Sequence, residues 1–206
     1  MKKIISQVRK LKKSEVSKLI DKRLGEFKDL GKKSNEDWFS ELCFCILTAN
    51  SKFKTACMIQ NELGSKGFIC MPQNEVVEAI RRNKHRFHNN KAKFICEARR
   101  HKNIKDILTK EEDPRKWLVD NIKGLSWKES SHFLRNVGYQ NYAIIDRHVM
   151  RLLVENNLLK ERLKSLNKKA YFIIEDTLKS IADKVGMTQA ELDLYIMYMR
   201  TGEIFK

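Results

Sequence analysis

Apolar residues recur along this chain mostly at intervals of three and four, the period of an α-helix, and no stretch alternates convincingly at a period of two. The breaks between periodic segments carry helix boundaries. Ser14 stands ahead of Val16, Leu19, Ile20 and Leu24, which predicts a capped helix running toward Leu30 with Gly31 as its stop. Ser34 followed by Asp37 has the form of a capping box before Trp38, Phe39, Leu42, Phe44 and Ile46. That segment is apolar on almost every side, which predicts a helix at the centre of the core. Further helices are predicted over 52–63, 75–82 and 91–100, with 64–72 as a connection. Pro114 suits a first helical turn, with Trp117, Leu118 and Ile122 behind it. A helix over 127–137 stops at Gly138, and Asp146 caps the next. A long helix over 168–185 ends at Gly186, and Thr188 with Glu191 opens a last one reaching Thr201. The expected fold class is all-α, one compact body with room for two lobes and a cleft between them.

Charge narrows the partners. Lys and Arg number 42 against 26 Asp and Glu, a formal net charge of +16. Such an excess favours a polyanionic partner, although a soluble protein from a lysine-rich proteome has the same balance. No apolar run approaches the roughly 20 residues of a membrane span, and Met1 to Gln7 holds no useful signal-peptide core. The expected location is intracellular, in the cytoplasm, with no membrane partner. The five cysteines (Cys43, Cys45, Cys57, Cys70 and Cys96) are odd in number and none are spaced C-x-x-C. They read as reduced thiols, with no zinc site and no catalytic metal.

The densest chemistry lies at Lys123 to Phe133 and at Ile144 to His148. A helix ending near Ile122, a short turn through Gly124, Leu125 and Ser126, and a new helix from Trp127 make a helix-hairpin-helix over about 114–137. Gly124 permits close backbone approach, and the first amides of the second helix can hold a phosphate oxygen. An ordinary αα-corner has the same outline. Lys128 falls in the first turn of that second helix, where the positive end of the dipole disfavours an ammonium. A lysine amine freed of its proton is a nucleophile able to form a Schiff base. A solvated surface lysine is the plain alternative. Asp146 can accept the amides that open the next helix, and its carboxylate can stabilise positive charge on a sugar or help deprotonate a lysine. Taken alone, it reads equally as a structural cap.

These residues carry a resemblance. Gly124-Leu125-Ser126-Trp127-Lys128-Glu129 with Asp146 resembles the helix-hairpin-helix DNA glycosylase superfamily. More narrowly, Lys128 to Gly138, Ile145-Asp146-Arg147-His148 and the terminus from Tyr195 to Lys206 resemble the type 2 8-oxoguanine DNA glycosylase/AP lyases of archaea and some bacteria. Leu47 to Ser51 and Arg86 to Ala92 extend the similarity over nearly the whole chain, 1–206. The resemblance implies a two-lobed glycosylase fold and a base flipped out of duplex DNA. It implies attack by Lys128 on the sugar C1′, release of the base, a Schiff base, and β-elimination that cuts the strand. Asp146 would stabilise the cationic transition state and help activate Lys128.

The same resemblance implies DNA contacts for Gly124, Leu125, Ser126 and Arg147. Asn50 would fill the hole left by the flipped base, Phe87 would wedge against the stack, and Lys206 would help tell the oxidised base from guanine. It implies double-stranded DNA containing oxidised guanine as partner, a monomer, no organic cofactor, and room for a structural monovalent cation on the hairpin carbonyls. Two positions depart from the pattern: Ser126 stands where the superfamily usually has a second glycine, and Met197 where the family's last helix carries a tryptophan. A serine tolerates positive φ less well than glycine, so a looser phosphate grip is expected. Two other readings stay open: a glycosylase for another damaged purine, and a non-catalytic hairpin module that only binds DNA.

Overall fold

The computed structural model describes residues 1–161, 163 and 166–206, and every regular element within them is helical. In chain order these are α1 (Lys2–Lys12), α2 (Val16–Lys32), α3 (Asn35–Thr48), α4 (Phe53–Cys70), α5 (Gln73–Arg82) and α6 (His88–Ala98). A 3-10 turn (Arg99–His101) leads to α7 (Ile104–Leu108), α8 (Pro114–Asn121), α9 (Trp127–Asn136), α10 (Arg147–Glu155), α11 (Lys168–Val185) and α12 (Gln189–Thr201). The all-α expectation holds.

Contacts divide the chain into two compact units. One is continuous, Leu30–Phe133. The other joins Met1–Asp29 to Leu134–Lys206, so the division falls inside α2 and inside α9.

In the continuous unit α3 is central, packed on α4, α6 and α7. Its capping box forms as expected, with Ser34 and Asp37 exchanging side-chain and backbone bonds. Every residue from Glu41 to Leu47 is buried, as an all-round apolar helix requires. Trp38 meets Phe133 edge-on at 6.0 Å, and Phe44 meets Phe53 and His132 in the same way. Asn35 closes the short α7, accepting the Lys105 amide at 2.9 Å and donating to Asp106. The predicted connection over 64–72 is instead mostly helix. Gly64 takes φ +58, breaks the run, and lets α4 resume as far as Cys70.

In the discontinuous unit α1 packs on α11 and α12, and α10 on α12. The α1 helix rests on Ile4 and Val8 alone, one turn apart. In α2 the buried face is Val16, Ile20 and Phe27, whereas Leu19, expected there, is exposed, and Gly31 does not stop the helix. The segment between α9 and α10 is held by side chains of α11: Tyr171 donates to the Ala143 carbonyl at 2.7 Å, and Glu175 accepts the Ala143 amide at 2.9 Å. Arg135 of α9 is 1 % exposed; its guanidinium donates to Asp193 of α12 and lies 4.9 Å over the Phe27 ring.

A buried ion pair is costly to break from one side, because the partner left behind keeps its charge without compensation. Asp193→Ala is expected to lower unfolding free energy by about 3–5 kcal/mol in urea titrations. Arg135→Met combined with Asp193→Leu is expected to cost clearly less. Equal losses would mean that the pair does not bear on stability in this way.

Candidate active site and nucleic-acid interface

The hairpin is built from its two helix ends. Asp113 caps α8 by accepting the Lys116 amide at 2.9 Å, with Pro114 in the first turn. The turn tightens where the Leu125 amide donates to the Ile122 carbonyl at 3.3 Å. Gly124 has φ +89, and a Cβ there would sit 2.7 Å from the Phe94 ring, so both backbone conformation and space demand glycine. Ser126 lies outside the positive-φ region. The looser turn expected of a serine therefore has no basis in its backbone. Leu125 is buried, so only its main chain is available to a nucleic acid.

Ser126 immediately precedes α9, and Glu129 occupies the third position of that helix. The Ser126 amide donates to Glu129 Oε2 at 3.3 Å and its hydroxyl donates to the same oxygen, the reach-back half of a capping box. The other carboxylate oxygen, Oε1, accepts from Lys128 Nζ at 3.2 Å. Burial pushes the Glu129 carboxyl up, but the Lys128 charge and the Ser126 hydroxyl outweigh it and hold the group below its ordinary value. Lys128 itself is half-buried, its side chain 30 % exposed.

Two side chains not singled out in the sequence complete this region. Lys91 of α6 is 5 % exposed and donates to the Ile46 carbonyl at 2.6 Å. Burial brings its amine down to about 8, with Glu129 opposing and Lys128 adding to the fall. Its sequence signal is position: it shares the buried face of α6 with Ala92, Ile95 and Ala98. His85 is buried and its Nε2 lies 3.0 Å from the Leu47 carbonyl. Its Nδ1 accepts the Phe87 amide at 3.2 Å. That assigns the proton to Nε2 and makes the ring neutral, in keeping with a titration lowered by burial. Lys91 and His85 thus satisfy two carbonyls at the end of α3, which have no helical partners to accept. Asn50 follows that end, exposed and left-handed at φ +60; it caps neither neighbouring helix. Phe87 is 41 % exposed, with the Arg86 guanidinium 5.4 Å from its ring.

The remaining candidates lie in the discontinuous unit. Asp146 caps α10, its Oδ1 accepting the amides of His148 at 2.8 Å and Val149 at 2.9 Å. Its second oxygen takes no part in the cap. Arg147 is exposed. The tail beyond α12 folds back: the Phe205 amide points to the Met197 sulfur at 3.1 Å, and Arg23 donates to the Ile204 carbonyl at 3.4 Å. Lys206, at its end, is part-buried. Among the described residues no group of three or more His, Cys, Asp or Glu is placed to hold a metal, and no helix is long and apolar enough to cross a membrane.

Comparison with known proteins assigns the architecture. Residues 20–187 match the family described as 8-oxoguanine DNA glycosylase. The chain belongs to that family. It is 49 % identical to an 8-oxoguanine DNA glycosylase/AP lyase of Methanocaldococcus jannaschii, over 98 % of this chain and 99 % of the relative. It is 39 % identical to the 8-oxoguanine DNA glycosylase/AP lyase of Korarchaeum cryptofilum, over 98 % of each. A crystal structure of the M. jannaschii 8-oxoguanine glycosylase/lyase with a 15mer DNA containing 8-oxoguanine superposes with a TM-score of 0.95, at 49 % identity over 98 % of this chain and 99 % of that one.

Membership does not by itself explain the buried Lys91, whose charge has a measurable signature. Its folded value near 8 lies below the ordinary 10.5 of an unfolded lysine. Below pH 8 the protein therefore bears the cost of a charged buried amine, and between about 8 and 10.5 the unfolded chain binds the extra proton, so stability rises with pH. Relative to Lys91→Met, the wild type is expected to gain up to about 3 kcal/mol in urea unfolding between pH 7 and pH 10.5. A pH-independent difference would contradict this.

Proposed function

We propose that this family member is a bifunctional DNA repair enzyme that excises 8-oxoguanine from duplex DNA and cleaves the abasic strand. The observation that carries the lyase half is Lys128 in the first turn of the hairpin's second helix, paired with a buried carboxylate. The relatives' names couple the same two activities, and the M. jannaschii structure holds DNA with this lesion.

The reaction divides among the chain's own groups. The hairpin main chain at Gly124 to Ser126 and the first amides of α9 hold the phosphate backbone. The Lys128 amine, once deprotonated, attacks C1′; the C1′–N9 bond breaks and its electron pair leaves with the base. The ring opens to an iminium between Lys128 and C1′. Loss of a C2′ proton then expels the 3′ phosphate, which is β-elimination. Asp146, fixed by its two amide bonds, supplies negative charge against the oxocarbenium-like transition state. Asn50 and Phe87, exposed beside each other's anchoring loops in one unit, occupy the space vacated by the flipped base and support the bent duplex. Arg147 neutralises phosphate, and the terminal residue Lys206 contributes to reading the base. A monovalent cation on hairpin carbonyls belongs to the same reading.

Incubation with a duplex carrying one 8-oxoguanine opposite cytosine, in the presence of borohydride, is expected to yield a covalent protein–DNA band. Lys128→Gln is expected to bind the duplex and give no band; trapping at the wild-type level would refute the nucleophile. Asp146→Asn is expected to slow base release at least a hundredfold. Deleting Lys206 is expected to erode the preference for 8-oxoguanine over guanine in single-turnover excision, and unchanged discrimination would remove that residue from base recognition.

A further inference from the structure

Glu129 bonds the hairpin with one oxygen and Lys128 with the other. Its side chain is only 10 % exposed, and a carboxylate so far from water needs its lone pairs matched. Oε2 takes the amide and hydroxyl of Ser126, and Oε1 takes Lys128 Nζ at 3.2 Å. The charge that acts on this group is Lys128 from its own helix, while Lys91 of α6 is held on the Ile46 carbonyl. The carboxylate therefore joins the turn to the Lys128 amine.

We infer that Glu129 is a positioning residue: through Ser126 it ties the Lys128 amine to the hairpin, so that gripping a phosphate and aiming the nucleophile are one mechanical act. The inference rests on the reading of Lys128 as the Schiff-base nucleophile. A lysine has four rotatable bonds and a freely swinging amine. Restraining that amine before DNA arrives removes much of the orientational loss from the bond-forming step.

The measurement is the single-turnover rate of cyanoborohydride-trapped adduct on a duplex with one abasic site opposite cytosine, with DNA affinity and thermal unfolding measured in parallel. Glu129→Gln is expected to lower the plateau rate at least tenfold while DNA affinity and thermal unfolding stay near wild type. Ser126→Ala removes the hydroxyl half of the anchor and leaves the amide half; it is expected to lower the plateau by less. Glu129→Asp is expected to restore part of the lost rate. Should Glu129→Gln not fold, the Ser126 and Asp variants carry the test, Ser126 being exposed.

A Glu129→Gln rate within twofold of wild type overturns the inference, as does a rate lost in step with DNA affinity or thermal stability, which is what a purely structural role would give. For the Ser126 and Asp variants, a Ser126→Ala plateau within twofold of wild type overturns it in the same way. Failure of the underlying reading looks different: wild type gives no adduct, or Lys128→Gln gives as much as wild type.

Discussion

A polar helix is buried at low cost only where its polar side chains find partners, and in α9 most of them do. From Glu129 to Asn136 every residue is buried, and Glu, Ser, His, Arg and Asn outnumber the apolar ones. Each unsatisfied group would cost of the order of 1–3 kcal/mol. Pairings answer most of these groups, and Ser130 Oγ alone on this helix is left without a hydrogen-bond partner among the described residues. Glu129 takes Ser126 and Lys128, Ser131 takes the Arg115 guanidinium at 3.3 Å, and Arg135 takes Asp193 and Asn136. Phe133 meets Trp38 within the continuous unit, and Arg135 lies over Phe27 within the discontinuous one. The same helix carries Lys128 at its open end. The rigidity that the proposed chemistry asks of that lysine is thus supplied by bonds made for solvation reasons.

The end of α3 obeys the same rule. Its final carbonyls point into protein, where water cannot serve them, and they are taken by Lys91 and His85. Both donors arrive from one stretch of chain, His85 from the connection after α5 and Lys91 from α6. His85 also receives the Phe87 amide, so the position of an exposed aromatic ring depends on a neutral imidazole beneath it. A satisfied helix end has become a fixed platform for Asn50 and Phe87.

Much of the fold was legible in the chain because it is written in caps and apolar faces. The Ser34 box, Pro114 in a first turn, the Asp146 and Thr188 caps and the stop at Gly186 all form where local chemistry places them. What escaped were elements without such marks. The α1 helix buries two residues in a lysine-rich stretch, α7 is five residues long and leans on Asn35 from far away in sequence, and Gly64 reads as a terminator although the helix resumes beyond it. At the site, Lys128 and Asp146 stood out because each opens a helix. Lys91 and His85 did not, because their partners lie 45 and 38 positions away, where periodicity cannot connect them; Glu129 escaped too, although Ser126-x-x-Glu129 has the spacing of a capping box. Leu19 shows the opposite failure: the helical period put it on the buried stripe, and it sits at the stripe's edge in solvent.

The left-handed backbone at Asn50 restricts which sequences can occupy that point. Asparagine adopts φ near +60 at little cost, glycine at none, and most other residues only under strain. A change to alanine there alters two things together, the side chain offered to solvent and the direction in which the chain leaves α3. Glycine, and at modest cost aspartate, removes the amide while keeping the path. Drift at this position is therefore channelled toward a very short list of residues, whatever the side chain does, and an invariant asparagine among related sequences would testify to backbone geometry before it testified to any partner.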